Sequence, residues 1–228
     1  MVLSTQDRIY SSTDYHARKH DVTPEAAELI TSYRAHKFSA FLKNSTLEIL
    51  EVGVGPGWNL LCLPARRRVG MDVTPQYAEQ LRGQGIEFVS DLAHLSGQRF
   101  DLVILSHVME HLLEPAIMLK QIGALLKPDG ELLVIVPLES PARKISLQDD
   151  NHHLFSWNVQ SLNEFLLACG YSVRSRAVKR YGADRFAANL ALRLRGEYRL
   201  YRLLLFLLRI LRPGYEIQVI ACCNSHSR

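Results

Sequence analysis

The chain has 228 residues, of which 47% are hydrophobic, and carries a formal net charge of +4 at neutral pH. These values exclude a disordered or fibrous chain and predict a single globular domain over residues 1–228. The first ten residues lack the apolar stretch after a positive start that is typical of a secretory signal, so we expect a cytoplasmic protein.

The first part of the chain alternates short apolar runs with helical patterns. Thr23 can cap a helix and Pro24 suits its first position, so a helix is predicted from Pro24 to about residue 42. Five apolar runs predict strands, at 48–52, 69–72, 86–89, 100–105 and 131–136. Helices are predicted between them, at 59–63, 74–82 and 115–126. This alternation predicts an α/β fold with a doubly wound parallel sheet that binds its ligand at the carboxyl ends of the strands.

Alternating glycines follow Glu51 and Val52, the last two residues of the first predicted strand. The three glycines are Gly53, Gly55 and Gly57. Glycines allow a sharp turn and a close approach of a ligand to the backbone, where the N–H groups of the next helix face it. A dinucleotide fingerprint would need a glycine at Trp58, and a phosphate-binding P-loop would need Lys and Ser or Thr at Trp58 and Asn59. The turn therefore predicts a nucleoside-bearing cofactor that is not a dinucleotide, with a ligand-free turn as the alternative.

Acidic residues end the next two strands. Asp72 lies 19 residues beyond Gly53, where a carboxylate can accept hydrogen bonds from both hydroxyls of a ribose. Its alternative role is to cap the helix that Thr74 begins. Asp91 can accept the exocyclic amine of an adenine while Leu92 packs on the ring, although aspartate is also common in turns.

From Glu48 to Pro137 the chain resembles the class I S-adenosylmethionine-dependent methyltransferases. The resemblance is carried by the glycine turn, by Gly70-Met-Asp72, by Ser90-Asp-Leu92 and by the later runs 100–111, 125–130 and 132–137. It implies the cofactor S-adenosylmethionine and a Rossmann-like seven-stranded sheet, mostly parallel, with an antiparallel last strand at 215–222. The cofactor-binding residues that it implies are Glu51, Gly53, Gly55, Gly57, Asp72, Val73, Asp91, Leu92 and Ser106.

The resemblance also implies a division of the chain by role. Residues 1–47 are expected to form a lid or helix, residues 48–137 the cofactor-binding half, and residues 138–228 the acceptor-side half. The chain departs from the family pattern at a short segment between Gly57 and Asp72 that contains Pro64, and at Asp129, where glycine is usual.

Four histidines are candidates for the general base that an oxygen nucleophile needs, since imidazole titrates near neutral pH. They follow the fourth and fifth predicted strands, at His107, His111, His152 and His153. The alternative for each is a solvated or capping histidine. Some methyltransferases of quinone precursors and RNA ends carry Glu-x-x-Glu-His here and bind a divalent metal, often with the help of a later histidine. His107 replaces the first Glu, and imidazole is a poorer ligand for magnesium, so no metal is predicted.

The last third of the chain carries the positive charge. Between Arg174 and Arg212 there are eleven Lys or Arg residues against two acidic ones, so any anionic partner should be sought there. A helix is predicted at 156–168, a strand at 171–178 and a helical insertion at 184–212. On a helix, the arginines at positions 195, 199, 202 and 209 form one stripe, and leucines take most of the remaining circumference. We favour packing of this insertion beside an acceptor pocket, and its alternative is contact of 196–212 with an anionic membrane surface.

These observations predict an S-adenosylmethionine-dependent methyltransferase. Its acceptor is expected to be a small molecule, a glycan or a lipid-linked precursor, methylated at oxygen. The alternative is a non-catalytic module that binds the same cofactor or another nucleoside. Nucleic acid is a poor candidate, because the basic segment is interleaved with leucines rather than with stacking aromatics. A homo-oligomer is compatible with the sequence.

Overall fold

The structure is a computed structural model of the chain and describes residues 22–41, 45–139 and 151–224. Residues 1–21 of the predicted N-terminal lid or helix, and residues 140–150 after the fifth predicted strand, lie outside these ranges. Contacts divide the chain into two compact units. The first comprises the residues up to Ser96 together with Ala183–Arg212, and the second comprises Gly97–Gly182 together with the residues from Pro213 onward.

Seven strands and seven α-helices make up the regular structure of the described residues. The strands are β1 (Glu48–Val52), β2 (Arg67–Met71), β3 (Glu87–Val89), β4 (Phe100–Ser106), β5 (Leu126–Leu138), β6 (Tyr171–Tyr181) and β7 (Gly214–Cys223). The helices are α1 (Pro24–Arg34), α2 (Trp58–Leu61), α3 (Ala78–Gly83), α4 (Pro115–Leu125), α5 (Val159–Ala168), α6 (Asp184–Arg193) and α7 (Tyr198–Leu211). Two short 3₁₀ helices follow β3 and β4, at Leu92–Leu95 and Met109–His111.

The strands form one seven-stranded sheet in the order β3-β2-β1-β4-β5-β7-β6. The pairs β1–β2, β2–β3 and β4–β5 are parallel, while β7 runs antiparallel to both β5 and β6. Residues at the centres of β4 and β5 are buried on both faces, as expected for strands that helices cover on each side. The predicted Rossmann-like sheet, mostly parallel with an antiparallel last strand, is therefore confirmed.

Some predicted boundaries differ from the observed ones. Helix α1 ends at Arg34, and residues 35–41 form turns rather than a continued helix. The predicted insertion at 184–212 is two helices, because the chain turns between α6 and α7 where Arg195 has a φ of 51°. Strand β5 is longer than predicted and begins at Leu126. Its pairing with β4 is irregular between Phe100 and Leu102, because the Lys-Pro-Asp-Gly stretch at 127–130 lies between their partners Leu126 and Glu131.

Helices α1, α6 and α7 pack together within the first unit. Their shared core consists of Ala26, Ile30, Trp58, Ala187, Ala188, Ala191, Tyr201 and Leu205. The alanines of α6 let the helices approach closely, and the large side chains of α7 fill the remaining space. Residues 184–212 therefore belong to the first compact unit. The two compact units are not the same as the cofactor-binding and acceptor-side halves predicted from the sequence. Every helix among the described residues is too short or too polar to cross a membrane.

Candidate active site

The glycine turn after β1 depends on backbone angles that favour glycine. Gly53, Gly55 and Gly57 have φ values of 75°, 50° and 81°. The N–H of Gly53 donates to the carbonyl of Met71 at 2.8 Å, which extends the β1–β2 pairing into the turn. At Gly57 a Cβ atom would lie 2.5 Å from Cδ2 of Leu81, so this position also lacks room for a side chain. The turn therefore stays close to the sheet, with Gly53 exposed and both Gly55 and Gly57 buried.

Glu51, near the end of β1, has a buried carboxyl group in which one of the two oxygens has a hydrogen bond. Its Oε1 accepts a hydrogen bond from Nδ2 of Asn59 at 2.5 Å. Its Oε2 is buried and has no hydrogen-bond partner among the described residues. Burial raises the pKa of Glu51 to about 8, although Asn59 and the positive charge of Arg34 act in the opposite direction. An orphaned buried acceptor beside the glycine turn fits a ligand that brings its own N–H or O–H donor, and a cationic donor best of all.

Arg34 and Asn59 support Glu51, and sequence reasoning missed both. Nη1 of Arg34 donates to Oδ1 of Asn59 at 2.5 Å, which orients the amide so that its nitrogen faces Glu51. The guanidinium also lies over the ring of Trp58, 5.3 Å from its centroid. Helix α1 thus reaches the glycine turn through one side chain. The only sequence signal was an asparagine among apolar residues directly after the turn.

Asp72 links the glycine turn to the loop after β2. This buried residue accepts the N–H of Gly55 at Oδ2 (3.0 Å) and the N–H of Thr74 at Oδ1 (3.1 Å). The second bond forms an Asx turn and not the helix cap that the sequence gave as an alternative, because helix α3 begins at Ala78 with Tyr77 as its N-cap. Each carboxylate oxygen has a further lone pair, so both remain able to accept from ribose hydroxyls. Val73, which follows, is exposed.

The turn after β3 is built around Asp91 and Leu92. Asp91 is exposed and caps the short 3₁₀ helix by accepting the N–H of Ala93 at 2.9 Å. Leu92 is buried. The local geometry is therefore that of the predicted turn, and the proposed contacts with an adenine stay a prediction.

In the second unit, His107 lies between two carboxylates at the end of β4. Its Nδ1 is 3.4 Å from Oε1 of Glu110, and its Nε2 is 3.2 Å from Oε2 of Glu216 on β7. The ring also lies against Tyr181, with 5.1 Å between centroids. A φ of 57° at His107 turns the chain sharply after Ser106, the last residue of β4. Both ring nitrogens therefore face carboxylate groups.

Glu110 is a buried acid with the opposite electrostatic setting from Glu51. Neither carboxylate oxygen has a well-aligned hydrogen bond among the described residues, and His107 lies at ion-pair distance. Burial acts to raise the pKa of Glu110, but His107 and His111 outweigh it and hold the pKa below its ordinary value. Its backbone carbonyl accepts hydrogen bonds from the N–H groups of Leu154 and Phe155 at 2.8 and 3.2 Å. These bonds hold the loop that carries His153 against Glu110.

His111 and His153 complete this cluster. Their rings meet edge to face with 4.9 Å between centroids. Nδ1 of His153 lies 2.5 Å from Oε1 of Glu139, a strong contact between an imidazole and a carboxylate. One ligand atom from each of Glu110, His111 and His153 falls within 4.8 Å of the others, close enough to hold a metal ion. Glu110 and His111 are the last two residues of the Glu-x-x-Glu-His pattern and His153 is a later histidine, whereas His107, at the position of the first glutamate, is not in this set.

The structure thus brings three of the four candidate histidines into one cluster. His107, His111 and His153 each lie against a glutamate, whereas His152 is exposed with a φ of 52°. Sequence reasoning missed Glu139 and Glu216, and no local pattern marks either of them. They reach the cluster through β5 and β7, which pair so that Pro137 lies opposite Glu216.

A Rossmann-like sheet whose first strand ends in a buried carboxyl group and a glycine turn defines a nucleoside-binding α/β protein. Residues 20–176 match the family described as "Methyltransferase domain". The chain therefore belongs to this family and is a class I S-adenosylmethionine-dependent methyltransferase. Membership confirms the predicted class of enzyme and its cofactor.

Curated relatives match part of the chain. The sequence is 35% identical over 130 residues to a ubiquinone biosynthesis O-methyltransferase of Cereibacter sphaeroides, covering 49% of this chain and 51% of that protein. A protein of the same name from Bradyrhizobium diazoefficiens is 27% identical over 132 residues, covering 50% and 51%. The chain spans about half the length of the curated relatives that it matches.

A solved structure supports the fold over nearly the whole chain. The 1,6-didemethyltoxoflavin-N1-methyltransferase of Burkholderia thailandensis, solved with its substrate and S-adenosylhomocysteine, superposes with a TM-score of 0.61. The alignment covers 98% of this chain and 93% of that protein at 18% identity. At this identity the similarity establishes the shared fold.

Proposed function

We propose that this methyltransferase transfers a methyl group to a hydroxyl oxygen of a small-molecule acceptor. The observation that carries the proposal is the contact between His153 and Glu139, because an oxygen nucleophile needs a base that is held in the correct tautomer. The names of the curated relatives, which are O-methyltransferases of ubiquinone biosynthesis, support oxygen as the methylated atom.

The first unit supplies residues that fit S-adenosylmethionine. Oε2 of Glu51 is a buried acceptor suited to the ammonium group of the cofactor, and the glycine turn lies beside it. Asp72 is the candidate acceptor for the ribose hydroxyls, while Asp91 and Leu92 are the candidates for the adenine. When bound, the cofactor supplies a methyl group that is already activated by a positively charged sulfur.

His153 is the candidate base. Oε1 of Glu139 accepts a hydrogen bond from the Nδ1–H of His153 in this proposal. The neutral ring then carries its basic lone pair on Nε2. In the proposed reaction Nε2 takes the hydroxyl proton while the acceptor oxygen bonds to the methyl carbon. The bond from that carbon to sulfur breaks, and S-adenosylhomocysteine is the second product. Because the methyl group is already activated, alignment and exclusion of water account for most of the remaining rate enhancement.

A panel of phenols, aliphatic alcohols and amines, incubated with S-adenosylmethionine and the full chain, tests this function. Mass spectrometry should detect a methylated phenol or alcohol together with S-adenosylhomocysteine in equal amounts. Glu139→Gln should lower turnover and shift its pH profile, because the ring loses the partner that fixes its tautomer. Methylation of the amines alone would contradict the proposal of an oxygen acceptor.

One observation favours a second role for the same cluster. The carboxylate of Glu110 is buried, stays ionised at neutral pH and lacks a well-aligned hydrogen bond, which is the environment of a cation ligand. Together with His111 and His153 it could hold a divalent ion, and two imidazoles favour manganese or zinc over magnesium. In that case His153 is a metal ligand and the acceptor oxygen would be activated without it as a base.

The two roles predict different outcomes. If the cluster holds a metal, calorimetry with manganese or zinc should show one site per chain that His111→Gln abolishes, and a chelator should stop turnover. If His153 is the base, turnover should survive chelation, and His111→Gln should leave the pH profile in place.

A further inference from the structure

Helix α7 is fixed on the first unit through one face. Tyr201 and Leu205 are fully buried in the helical core, and Leu204 and Leu208 pack at its edge. Nη2 of Arg209 lies 3.3 Å from Oδ1 of Asp184 on α6, and its Nη1 donates to the hydroxyl of Tyr33 on α1 at 3.1 Å. These contacts set the rotation of the helix about its axis, so its other face is defined as well.

The opposite face of α7 exposes large apolar side chains. Leu203 is 54% exposed, Phe206 61%, Leu207 45% and Ile210 46%. These residues follow the i, i+3, i+4, i+7 spacing of a single helical stripe, so they form one continuous surface rather than scattered contacts. We call these four residues the apolar stripe. The surfaces of soluble proteins mostly expose large apolar residues singly, whereas a continuous row of them indicates a binding surface.

Arginines lie beside the apolar stripe. Arg199 and Arg202 are exposed and precede Leu203 and Phe206 by one helical turn each, which places them along the same side of α7. Arg193, Arg195 and Arg212 are also exposed in the flanking turns. Glu197 is the only exposed acidic residue among residues 183–212. The surface therefore combines apolar side chains with a strong positive charge.

We propose that the apolar stripe docks onto an anionic membrane surface. Apolar side chains of an amphipathic helix insert at the boundary of headgroups and acyl chains, while arginines pair with anionic headgroups. The helix has 14 residues, too few to cross a bilayer, so it lies along the surface. A second copy of the chain fits this face poorly, because a symmetric contact would bring the arginines of both copies together.

Docking in this manner places the first unit, with its glycine turn, at the membrane surface. A sparingly soluble acceptor would then be methylated where it accumulates. The binding itself does not depend on the acceptor or on the methylated atom, so it can be tested apart from turnover.

Co-sedimentation of the full chain with vesicles tests the proposal. Vesicles of phosphatidylcholine alone are compared with vesicles that also contain phosphatidylglycerol, at low and at high salt. The wild-type chain should bind the anionic vesicles, and the binding should weaken with salt. The double variant Leu203→Gln/Phe206→Gln and the variant Arg199→Gln/Arg202→Gln should each bind about tenfold more weakly or less.

A matched control lies on α4, where Ile117 and Lys120 are exposed. Ile117→Gln/Lys120→Gln should bind vesicles as the wild type does. Thermal melting should be unchanged in all three variants, since every substituted side chain is exposed. Equal sedimentation of the wild type and the two α7 variants would overturn the proposal. So would a concentration-dependent dimer that Leu203→Gln/Phe206→Gln dissociates, without any binding to vesicles.

Discussion

Two buried glutamates, one in each unit, have opposite electrostatic settings. Glu51 contacts the amide of Asn59 and lies beside the glycine turn, and burial raises its pKa to about 8. Glu110 meets two imidazoles, which hold its pKa below the ordinary value in spite of similar burial. The comparison teaches that burial alone does not decide the charge of a carboxyl group. The charge depends on the groups within a few ångströms of the carboxyl group, and these differ between the two glutamates. Each glutamate is therefore suited to different chemistry.

For the glycine turn, this means that Glu51 is poised to ionise when a cationic ligand arrives. For the cluster in the second unit, it means that negative charge is already present and is balanced by histidines. A site that waits for a positive ligand suits cofactor binding, whereas a site of preformed opposite charges suits proton transfer or metal binding.

The largest expected effect comes from the cluster. His153→Gln should lower kcat by about 10²- to 10⁴-fold if His153 is the base, because the acceptor proton then has no positioned base. The affinity for S-adenosylmethionine should stay within a factor of about two, since the proposed cofactor residues are untouched. Steady-state kinetics and calorimetry measure the two quantities. His152→Gln, at the exposed neighbour, should change kcat little, and an equal loss in both variants would contradict the assignment.

At the glycine turn, Gly57→Val should destabilise the protein by about 2 kcal/mol or more, because a branched side chain resists a positive φ. The added Cβ would also press on Leu81, which must move. The Gly57→Val variant should also lose the ability to bind S-adenosylmethionine. Thermal melting and calorimetry provide the measurements. Gly83→Ala, in open space at the end of α3, is the matched control and should leave stability unchanged or raise it by up to about 1 kcal/mol.

Glu51→Gln should weaken S-adenosylmethionine binding by about tenfold or more, because a neutral amide replaces a charge-assisted acceptor. It should also change how stability depends on pH. The folded-state pKa of Glu51 is raised from its ordinary value of 4.5 to about 8, so the folded state holds a proton that the unfolded state releases. Stability contributed by this group is therefore lost as pH rises from about 4.5 to about 8.

The glutamine variant lacks this titration, so its melting temperature relative to the wild type should rise across that pH range. Melting without ligand at several pH values measures the difference. A difference that does not vary with pH would show that Glu51 is ionised in the folded protein and would remove the contrast with Glu110.

The two regions also differ in how far the sequence predicts them. Glu51 and the glycines are contiguous, and their roles follow from local backbone requirements, so the turn and the sheet around it were predictable. Glu216 lies 109 residues from His107, and only the antiparallel pairing of β5 with β7 brings them together. Arg34 reaches Asn59 through a helix that the sequence predicted without indicating its direction. Such contacts depend on tertiary packing, which no single-sequence pattern encodes.

The most direct test of the account is calorimetric titration of the full chain with S-adenosylmethionine, S-adenosylhomocysteine and NAD. We predict one site per chain for the first two, with affinity lost in Gly57→Val and reduced in Glu51→Gln. Binding of S-adenosylmethionine near pH 7 should release a proton, because Glu51 ionises as it pairs with the ligand. Binding of NAD in place of S-adenosylmethionine would contradict the assigned cofactor site.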